Sequence, residues 1–191
     1  MMRLFIALPL PEPVEKELGQ IILLCRNRGG HVKWVASENI HLTARFLGDT
    51  DGATIPGIKE QINEVAGQFS PVETVIDKLG GFPNLRRPRV IWAGIGANTE
   101  QLAGIAEQVE LRMRKLSFEP EKKSFREHLT LGRVRRPQDL EPLSDFLQNY
   151  ALKPIPVLFD RLCLFQSTLT PSGPIYECLH EALLSPERFE G

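Results

Sequence analysis

An internal repeat places the strongest constraint on the fold of this chain. The tripeptide His41-Leu42-Thr43 recurs 87 residues later as His128-Leu129-Thr130. Two further matches keep the same order at nearly the same offset: Asp77-Lys78-Leu79 with Phe82 pairs with Asp160-Arg161-Leu162 and Phe165 after 83 residues, and Trp92 pairs with Tyr176 after 84. Two copies of one supersecondary unit explain this order, since differences in loop length absorb the drift. One such unit is too small to bury a good core, so the copies should pack together about a pseudo-twofold axis.

The periodicity of apolar residues predicts an α+β fold. The duplication makes it bilobal, with antiparallel-rich sheets facing a central groove and helices outside, so that residues 1–191 form a single two-lobed domain. A turn at Ser37-Glu38-Asn39 favours a hairpin between the second and third strands. The predicted helices span 12–28, 54–68, 99–116 and 139–149, and the predicted strands span 3–9, 32–35, 40–47, 72–79, 90–96, 128–134, 155–165 and 174–180.

Composition excludes several classes of protein. With 42% hydrophobic and 25% charged residues among 191, the chain is close to average for globular proteins and far from disordered or collagen-like compositions. Its apolar runs are well below the ~18 residues that a membrane span needs. Acidic residues follow the first apolar stretch, which argues against a secretory signal, and three widely spaced cysteines suggest no disulfide framework. We therefore expect a monomer in the cytoplasm without contact with a membrane.

The net charge of −1 gives no general attraction to long nucleic acid, so any anion site must be local. Two arginine clusters are candidates for such a site, unless they are only solvated loops. The clusters are Arg86-Arg87-Pro88-Arg89, and Arg126 with Arg133, Arg135 and Arg136.

The repeated tripeptide carries the groups that a phosphodiester reaction needs. On a strand, alternation places His and Thr on one face and sends Leu42 and Leu129 into the core. Two such strands facing each other line one cleft with two imidazoles and two hydroxyls. Imidazole titrates near ~6.5, so one ring can accept a proton while the other donates one. Threonine hydroxyls and arginine guanidinium groups are suitable donors to phosphate oxygens.

The segments His41-Leu42-Thr43-Ala44-Arg45-Phe46-Leu47-Gly48 and His128-Leu129-Thr130-Leu131-Gly132-Arg133 resemble the paired H-x-T/S-x motifs of the two-histidine (2H) phosphoesterase superfamily. Within it, the chain is most similar to the bacterial and archaeal RNA 2′,3′-cyclic phosphodiesterases, often called 2′-5′ RNA ligases. The similarity extends from the Arg3–Ala7 strand to the segment that ends at Tyr176. Ala44 departs from the larger aliphatic residue usual in the family, which concerns local packing rather than chemistry.

This resemblance implies hydrolysis of a terminal 2′,3′-cyclic phosphate on RNA, tRNA fragments included, to a 2′-phosphate without metal or other cofactor. It implies His41 as proton donor and His128 as proton acceptor, although pseudo-symmetry would allow the opposite assignment. Reverse 2′-5′ ligation would exchange the two roles. Thr43, Thr130 and Arg133 are implied to bind phosphate. Phe46 is implied to stack on the terminal base.

Strand geometry raises a difficulty for two of these residues. Phe46 and Arg133 each lie five positions after their histidine, so an ideal strand would point them to the opposite face. Either the strand ends or twists there, as Gly132 would permit, or the side chains wrap over the sheet edge. Arg45 shares the ideal parity of His41 and is therefore a competing phosphate ligand.

Alternative functions remain open on the sequence alone. One is a non-catalytic module that binds RNA ends, and another is a 2H phosphodiesterase acting on small cyclic nucleotides. A metalloenzyme is disfavoured because neither H-x-x-x-H nor H-E-x-x-H occurs, and no Walker motif suggests ATP-dependent ligation. We expect His31 and His180 to be structural. Trp92 and Tyr176 are expected to cap the two cores, although Tyr176 could also border the groove.

Overall fold

The chain folds into two antiparallel sheets with four α-helices, in a computed structural model that describes residues 1–185. The first sheet has the order β3-β1-β8-β9, and the second has the order β2-β6-β5-β4-β7. The expected α+β class with antiparallel sheets is confirmed. The strands are β1 (Met2–Pro9), β2 (His31–Trp34), β3 (His41–Thr50), β4 (Val72–Phe82), β5 (Val90–Ile95), β6 (His128–Arg136), β7 (Ile155–Phe159), β8 (Arg161–Thr170) and β9 (Gly173–Leu183), and the helices are α1 (Glu12–Arg26), α2 (Ile55–Ala66), α3 (Thr99–Lys115) and α4 (Glu141–Asn149).

The sheet order reflects the repeat and adds an exchange of strands. The two histidine strands occupy equivalent positions, because β3 pairs with β1 and β6 pairs with β5. The strand that closes each copy then crosses to the other sheet: β4 pairs with β5, and β8 pairs with β1. Each sheet therefore contains strands from both halves of the sequence.

Apolar faces on the helices cover the sheets from outside. Helix α1 buries Val14, Leu18, Ile21, Ile22 and Cys25, and α3 buries Leu102, Ile105, Ala106, Val109 and Met113, as their spacing predicts. Helix α2 packs on β8 and β9, whereas α4 packs on β4. None of the helices in residues 1–185 is long and apolar enough to cross a membrane.

Two predicted connections are wrong. The segments 32–35 and 40–47 do not form a hairpin, because β2 pairs with β6 in the second sheet while β3 pairs with β1 in the first. A 3₁₀ turn at Ser37–Asn39 carries the chain from one sheet to the other instead of reversing it. The single strand predicted over 155–165 is two strands that part at Asp160, since Phe159 pairs with Val72 in the second sheet and β8 belongs to the first.

Candidate active site

A matched pair of β-bulges determines which side chains of the histidine strands share a face. On β3 the extra residue is Ala44, since Thr43 pairs with Ala7 and Arg45 pairs with Ile6. On β6 the extra residue is Leu131, 87 positions later, since Thr130 pairs with Trp92 and Gly132 pairs with Ile91. A bulge reverses the alternation beyond it, so the residues that follow return to the face of the histidine.

Because of the bulges, Phe46 and Arg133 point to the same face of their strands as the histidines. Phe46 and Arg133 are both exposed on the histidine faces of their strands, and 56% of Phe46 is accessible. Leu42 and Leu129 are fully buried, as alternation predicts. The regular alternation of an ideal strand is thus interrupted at the same place in both copies.

Both histidines are anchored by the same hydrogen bond. His41 Nδ1 lies 2.8 Å from the carbonyl oxygen of Asn39, and His128 Nδ1 lies 2.8 Å from that of Arg126. A carbonyl oxygen can only accept, so each Nδ1 carries the proton and each Nε2 is left as the reactive nitrogen. In the neutral ring Nε2 accepts a proton, and in the charged ring it donates one.

Aromatic rings enclose His41 on the first sheet. Its ring stacks on Phe5 with centroids 4.8 Å apart, and Tyr176 meets it edge-on at 5.5 Å. Phe165 also stacks on Phe5, with centroids 5.2 Å apart, and its ring centroid lies 6.4 Å from that of His41. These contacts hold the imidazole in one orientation and remove it from water.

His128 has a more open setting on the second sheet. Its ring meets Phe82 edge-on at 5.1 Å, and Phe82 packs at 5.2 Å against Trp92. The guanidinium group of Arg126 lies 5.1 Å from the centre of the Phe82 ring. Phe82 and Phe165 are the repeat pair of the sequence, so the duplicated phenylalanine supports the duplicated histidine.

Burial lowers the pKa of both histidines. The pKa of His41 falls to about 4 because desolvation disfavours its charged form, although the hydrogen bond to Asn39 opposes the shift. The pKa of His128 also falls, chiefly through burial and further through the charges of Arg133 and Arg126. Burial therefore favours the neutral form of both rings in the free protein.

Contacts between the two sheets bring the two histidine strands together. Strand β3 contacts β6 directly. Burial raises the pKa of Tyr176, and the charges of Arg133 and Arg3 act against that rise. Arg133 on β6 is thus close enough to interact electrostatically with the tyrosine that packs on His41. Tyr176 packs edge-on against both Phe5 and His41.

The hydroxyls of Thr43 and Thr130 are available to a ligand. Both side chains are half-buried, one on each histidine strand. Neither hydroxyl makes a hydrogen bond to another group within residues 1–185. They flank the imidazoles on the same strand faces.

Arg45 does not reach the groove. The bulge at Ala44 turns its side chain inward, where only 5% of it is accessible. Its Nη1 lies 2.7 Å from Glu110 Oε2 and 3.6 Å from Glu121 Oε2, and its Nη2 donates to the carbonyl oxygen of Glu119. The alternative of Arg45 as a phosphate ligand is wrong, because the parity argument assumed a regular strand.

Two other histidines lie apart from this cluster. His180 Nε2 is 2.7 Å from Asn63 Oδ1, which joins β9 to α2, and His31 is exposed at the start of β2. Sequence analysis missed Phe5, Arg3 and the aromatic role of Phe82 and Phe165. Only the last two had a usable signal, which was their match within the repeat. No three His, Cys, Asp or Glu side chains within residues 1–185 are grouped closely enough to hold a metal ion.

Comparisons with known proteins connect this site to a family. The family model described as LigT like Phosphoesterase matches the chain twice, over residues 8–92 and 95–176, and each match contains one His-Leu-Thr motif. A protein of Thermotoga maritima named RNA 2′,3′-cyclic phosphodiesterase is 36% identical over 191 residues, covering 100% of this chain and 97% of its own. One of Archaeoglobus fulgidus with the same name is 35% identical, covering 93% and 98%.

A solved structure agrees in fold. A protein of Thermus thermophilus superposes with a TM-score of 0.79 at 27% identity, covering 97% of this chain and 100% of that one. The two family matches together include both histidine strands, and Phe82, Phe165 and Tyr176 of the surrounding aromatic residues. The chain therefore belongs to the LigT-like phosphoesterase family.

Proposed function

We propose that the protein is an RNA 2′,3′-cyclic phosphodiesterase that opens a terminal 2′,3′-cyclic phosphate to a 2′-phosphate. The observation that carries the proposal is the shared anchoring of His41 and His128 through Nδ1, which leaves each Nε2 free to accept or donate a proton. In the proposed mechanism the two Nε2 atoms act on one substrate from opposite sides. The names of the Thermotoga and Archaeoglobus relatives support the choice of substrate.

In the proposed reaction, water attacks phosphorus opposite the departing O3′. His128 Nε2 takes a proton from the water as the new P–O bond forms, and His41 Nε2 gives its proton to O3′ as the P–O3′ bond breaks. The products are a free 3′-hydroxyl and a 2′-phosphate, and a proton must return from His128 to His41 before the next cycle. A positioned acid or base contributes roughly 10²–10⁴ in rate.

The hydrogen-bond donors that flank the imidazoles would bind the phosphate. Thr43 and Thr130 have hydroxyls without a partner in residues 1–185, and Arg133 is exposed on the His128 face. These groups would stabilise the charge that grows on the non-bridging oxygens in the transition state. The exposed ring of Phe46 lies 6.0 Å from Phe5 and offers a flat surface for the terminal base.

The pKa of His41 bears on its assignment as the acid. At about 4 in the free protein, it leaves little of the charged ring at pH 7. A bound phosphodiester anion favours the charged imidazole, so substrate would raise this pKa within the complex. The reverse 2′-5′ ligation, which we include in the proposal, would use His41 as the base.

The first experiment incubates the protein in excess EDTA with a short RNA that ends in a 2′,3′-cyclic phosphate. We expect wild type to yield a 2′-phosphate end, and His41→Ala and His128→Ala each to lose at least about 10²-fold in kcat. No conversion, with tight binding of the RNA end retained, would favour a binding module. Full activity in either variant would contradict the two-histidine mechanism.

A pH profile tests the assignment of roles. Wild-type kcat/KM should be bell-shaped, because one imidazole must be neutral and the other charged. The residual activity of His41→Ala should lose the alkaline limb, and that of His128→Ala should lose the acidic limb. The opposite pattern would mean that His128 is the acid and His41 the base.

We propose further that the enzyme acts in the cytoplasm as a monomer and that tRNA fragments are among its substrates.

A further inference from the structure

A basic cleft lies at one end of the second sheet, and neither His41 nor His128 lines it. It has a volume of about 410 Å³, and its walls are the loop between β4 and β5 and the last residues of β6. Half of its lining residues are arginines, namely Arg87, Arg89, Arg135 and Arg136. We call this the arginine cleft.

The four arginines have no carboxylate partner within residues 1–185. Other arginines of the chain do have one: Arg45 pairs with Glu110, Arg112 with Glu64, and Arg161 with Asp160 and Glu181. All four side chains in the cleft are exposed. Like charges gathered without counter-charges repel one another, and an anion that binds between them relieves that repulsion.

The backbone behind the arginines is held by hydrogen bonds. Asn84 Oδ1 accepts from the N–H groups of Arg86 and Arg87, each at 3.0 Å. Arg89 N donates to Phe82 O at 2.7 Å, and Val134 N donates to Arg89 O at 2.9 Å. The loop and β6 are thereby joined, so less conformational entropy is lost when the guanidinium groups bind a ligand.

Strand β6 connects the cleft to the candidate active site. It begins at His128, carries Arg133 on the histidine face and ends at Arg136. At about 3.3 Å per residue, the seven steps from His128 to Arg135 span roughly 23 Å. A ligand that reaches both places must be a polymer of several nucleotides, because a single nucleotide cannot extend so far.

We propose that the arginine cleft binds the sugar-phosphate backbone of the RNA, several nucleotides before the end that enters the groove. Guanidinium groups bind phosphate oxygens in pairs of parallel hydrogen bonds, which suits a backbone and requires no particular base. The inference rests on the proposed function for the identity of the polymer. It adds a site that separates long RNA from cyclic mononucleotides as substrates.

The test compares Arg87→Ala/Arg135→Ala with the control Lys59→Ala/Lys153→Ala, which removes the same charge from α2 and from the loop before β7. Two substrates are used, an RNA of about 12 nucleotides with a 2′,3′-cyclic phosphate end and 2′,3′-cyclic AMP. For the arginine variant, kcat/KM on the RNA should fall about tenfold or more, which corresponds to weaker phosphate binding. The arginine variant should keep the wild-type kcat/KM on 2′,3′-cyclic AMP. The lysine control should keep the wild-type kcat/KM on both substrates.

Salt dependence gives a readout that a structural effect would not change. In a plot of log binding constant against log salt concentration for the 12-nucleotide RNA, each phosphate contact on a single strand contributes a slope of about −0.7. The arginine variant should therefore lose about 1.4 from the magnitude of the slope. Arg87→Gln/Arg135→Gln, which keeps a long polar side chain, should give the same change if the alanine variant folds poorly.

Three results would overturn the inference. An unchanged slope and affinity for RNA would mean that the cleft does not hold RNA and would favour another anionic partner, such as an acidic protein segment. Equal losses of kcat/KM on the RNA and on 2′,3′-cyclic AMP would place the effect at the catalytic groove. Equal losses in the lysine control would reflect overall charge. If wild type opens neither substrate, the proposed function fails, while the RNA-binding measurements still decide the cleft.

Discussion

At the scale of single residues, the surroundings of His41 lead to a prediction about its titration. Its ring packs on Phe5 and Tyr176, and burial lowers its pKa to about 4. NMR titration of the free protein should give a pKa well below 6.5, and saturation with an RNA ending in a 2′-phosphate should raise it, because the anion favours the charged ring. A pKa that stays the same on saturation would place the phosphate away from His41.

The lowered pKa of His41 makes the free energy of unfolding depend on pH. The folded-state pKa of His41 lies below the unfolded value near 6.5, so between about pH 4 and 6.5 the unfolded chain binds more protons. The free energy of unfolding should therefore rise with pH through this window and lose the contribution of His41 as pH falls. Urea unfolding at about pH 4.5 and 7 measures the difference, which His41→Phe should reduce. An equal pH dependence in wild type and His41→Phe would contradict the shift.

What could be predicted for the site depended on regular alternation. The burial of Leu42 and Leu129 followed from it, and so did the shared face of each histidine with its threonine. The positions of Arg45, Phe46 and Arg133 did not, because a β-bulge depends on pairing with another strand and leaves no periodic signal in its own. The aromatic enclosure of His41 comes from β1, β8 and β9, which meet only in the folded protein.

At the scale of elements, Arg45 connects β3 to α3 and to the loop that leads into β6. Burial works to raise the pKa of Glu110, but hydrogen bonds from Arg114 and the Glu121 N–H and the charge of Arg45 bring it below its usual value. Arg45→Met would leave a partly buried carboxylate without its inner partner and should cost about 3 kcal/mol in unfolding free energy.

Variants of the partners serve as controls for this ion pair. Adding Glu110→Gln to Arg45→Met removes the uncompensated charge and should recover part of the loss. Arg114→Met, which removes the half-exposed partner of the same glutamate, should cost less than about 1 kcal/mol. Affinity for a 2′-phosphate product should be kept in Arg45→Met. A selective loss of that affinity in folded protein would restore Arg45 as a candidate phosphate ligand.

The hairpin of β4 and β5 supports His128 through the close packing of Trp92 on Gly80. A Cβ atom at Gly80 would overlap the ring of Trp92, which packs on Phe82 beneath His128. Gly80→Ala should therefore cost about 1–3 kcal/mol and lower kcat by displacing this aromatic support. Gly104→Ala in α3 is the matched control, because its Cβ meets Phe69 only at 3.4 Å and alanine favours helix. Unchanged kcat in Gly80→Ala would show that Trp92 does not position the histidine.

The predicted helices and most strands were correct because each has its own apolar pattern. The errors lie at the connections. Only Asp160 and Arg161 separate the apolar run of β7 from that of β8, so the apolar pattern alone did not divide the two strands, although they belong to different sheets. The supposed hairpin at Ser37–Asn39 failed for the related reason that a short polar turn does not say which sheet the next strand joins.

At the scale of the whole molecule, the exchange of β4 and β8 joins the two halves of the repeat. Each copy gives its closing strand to the other sheet, so neither sheet is complete without both halves. The family model nevertheless matches the two halves as separate segments, 8–92 and 95–176. We propose that the repeat and the exchange together make one two-lobed domain, in which the groove lies where the two copies meet.

This arrangement predicts a single unfolding transition. Trp34 and Trp92 both lie in the second sheet, so tryptophan fluorescence reports that sheet, whereas far-UV circular dichroism reports both. Leu8→Ala opens a cavity in the first sheet and should cost about 2–5 kcal/mol. Because β4 and β8 couple the sheets, this variant should shift the fluorescence midpoint in urea as far as the dichroism midpoint, and the two curves should coincide in wild type. A fluorescence midpoint unaffected by Leu8→Ala would mean that the sheets unfold independently, and the chain would then comprise two domains.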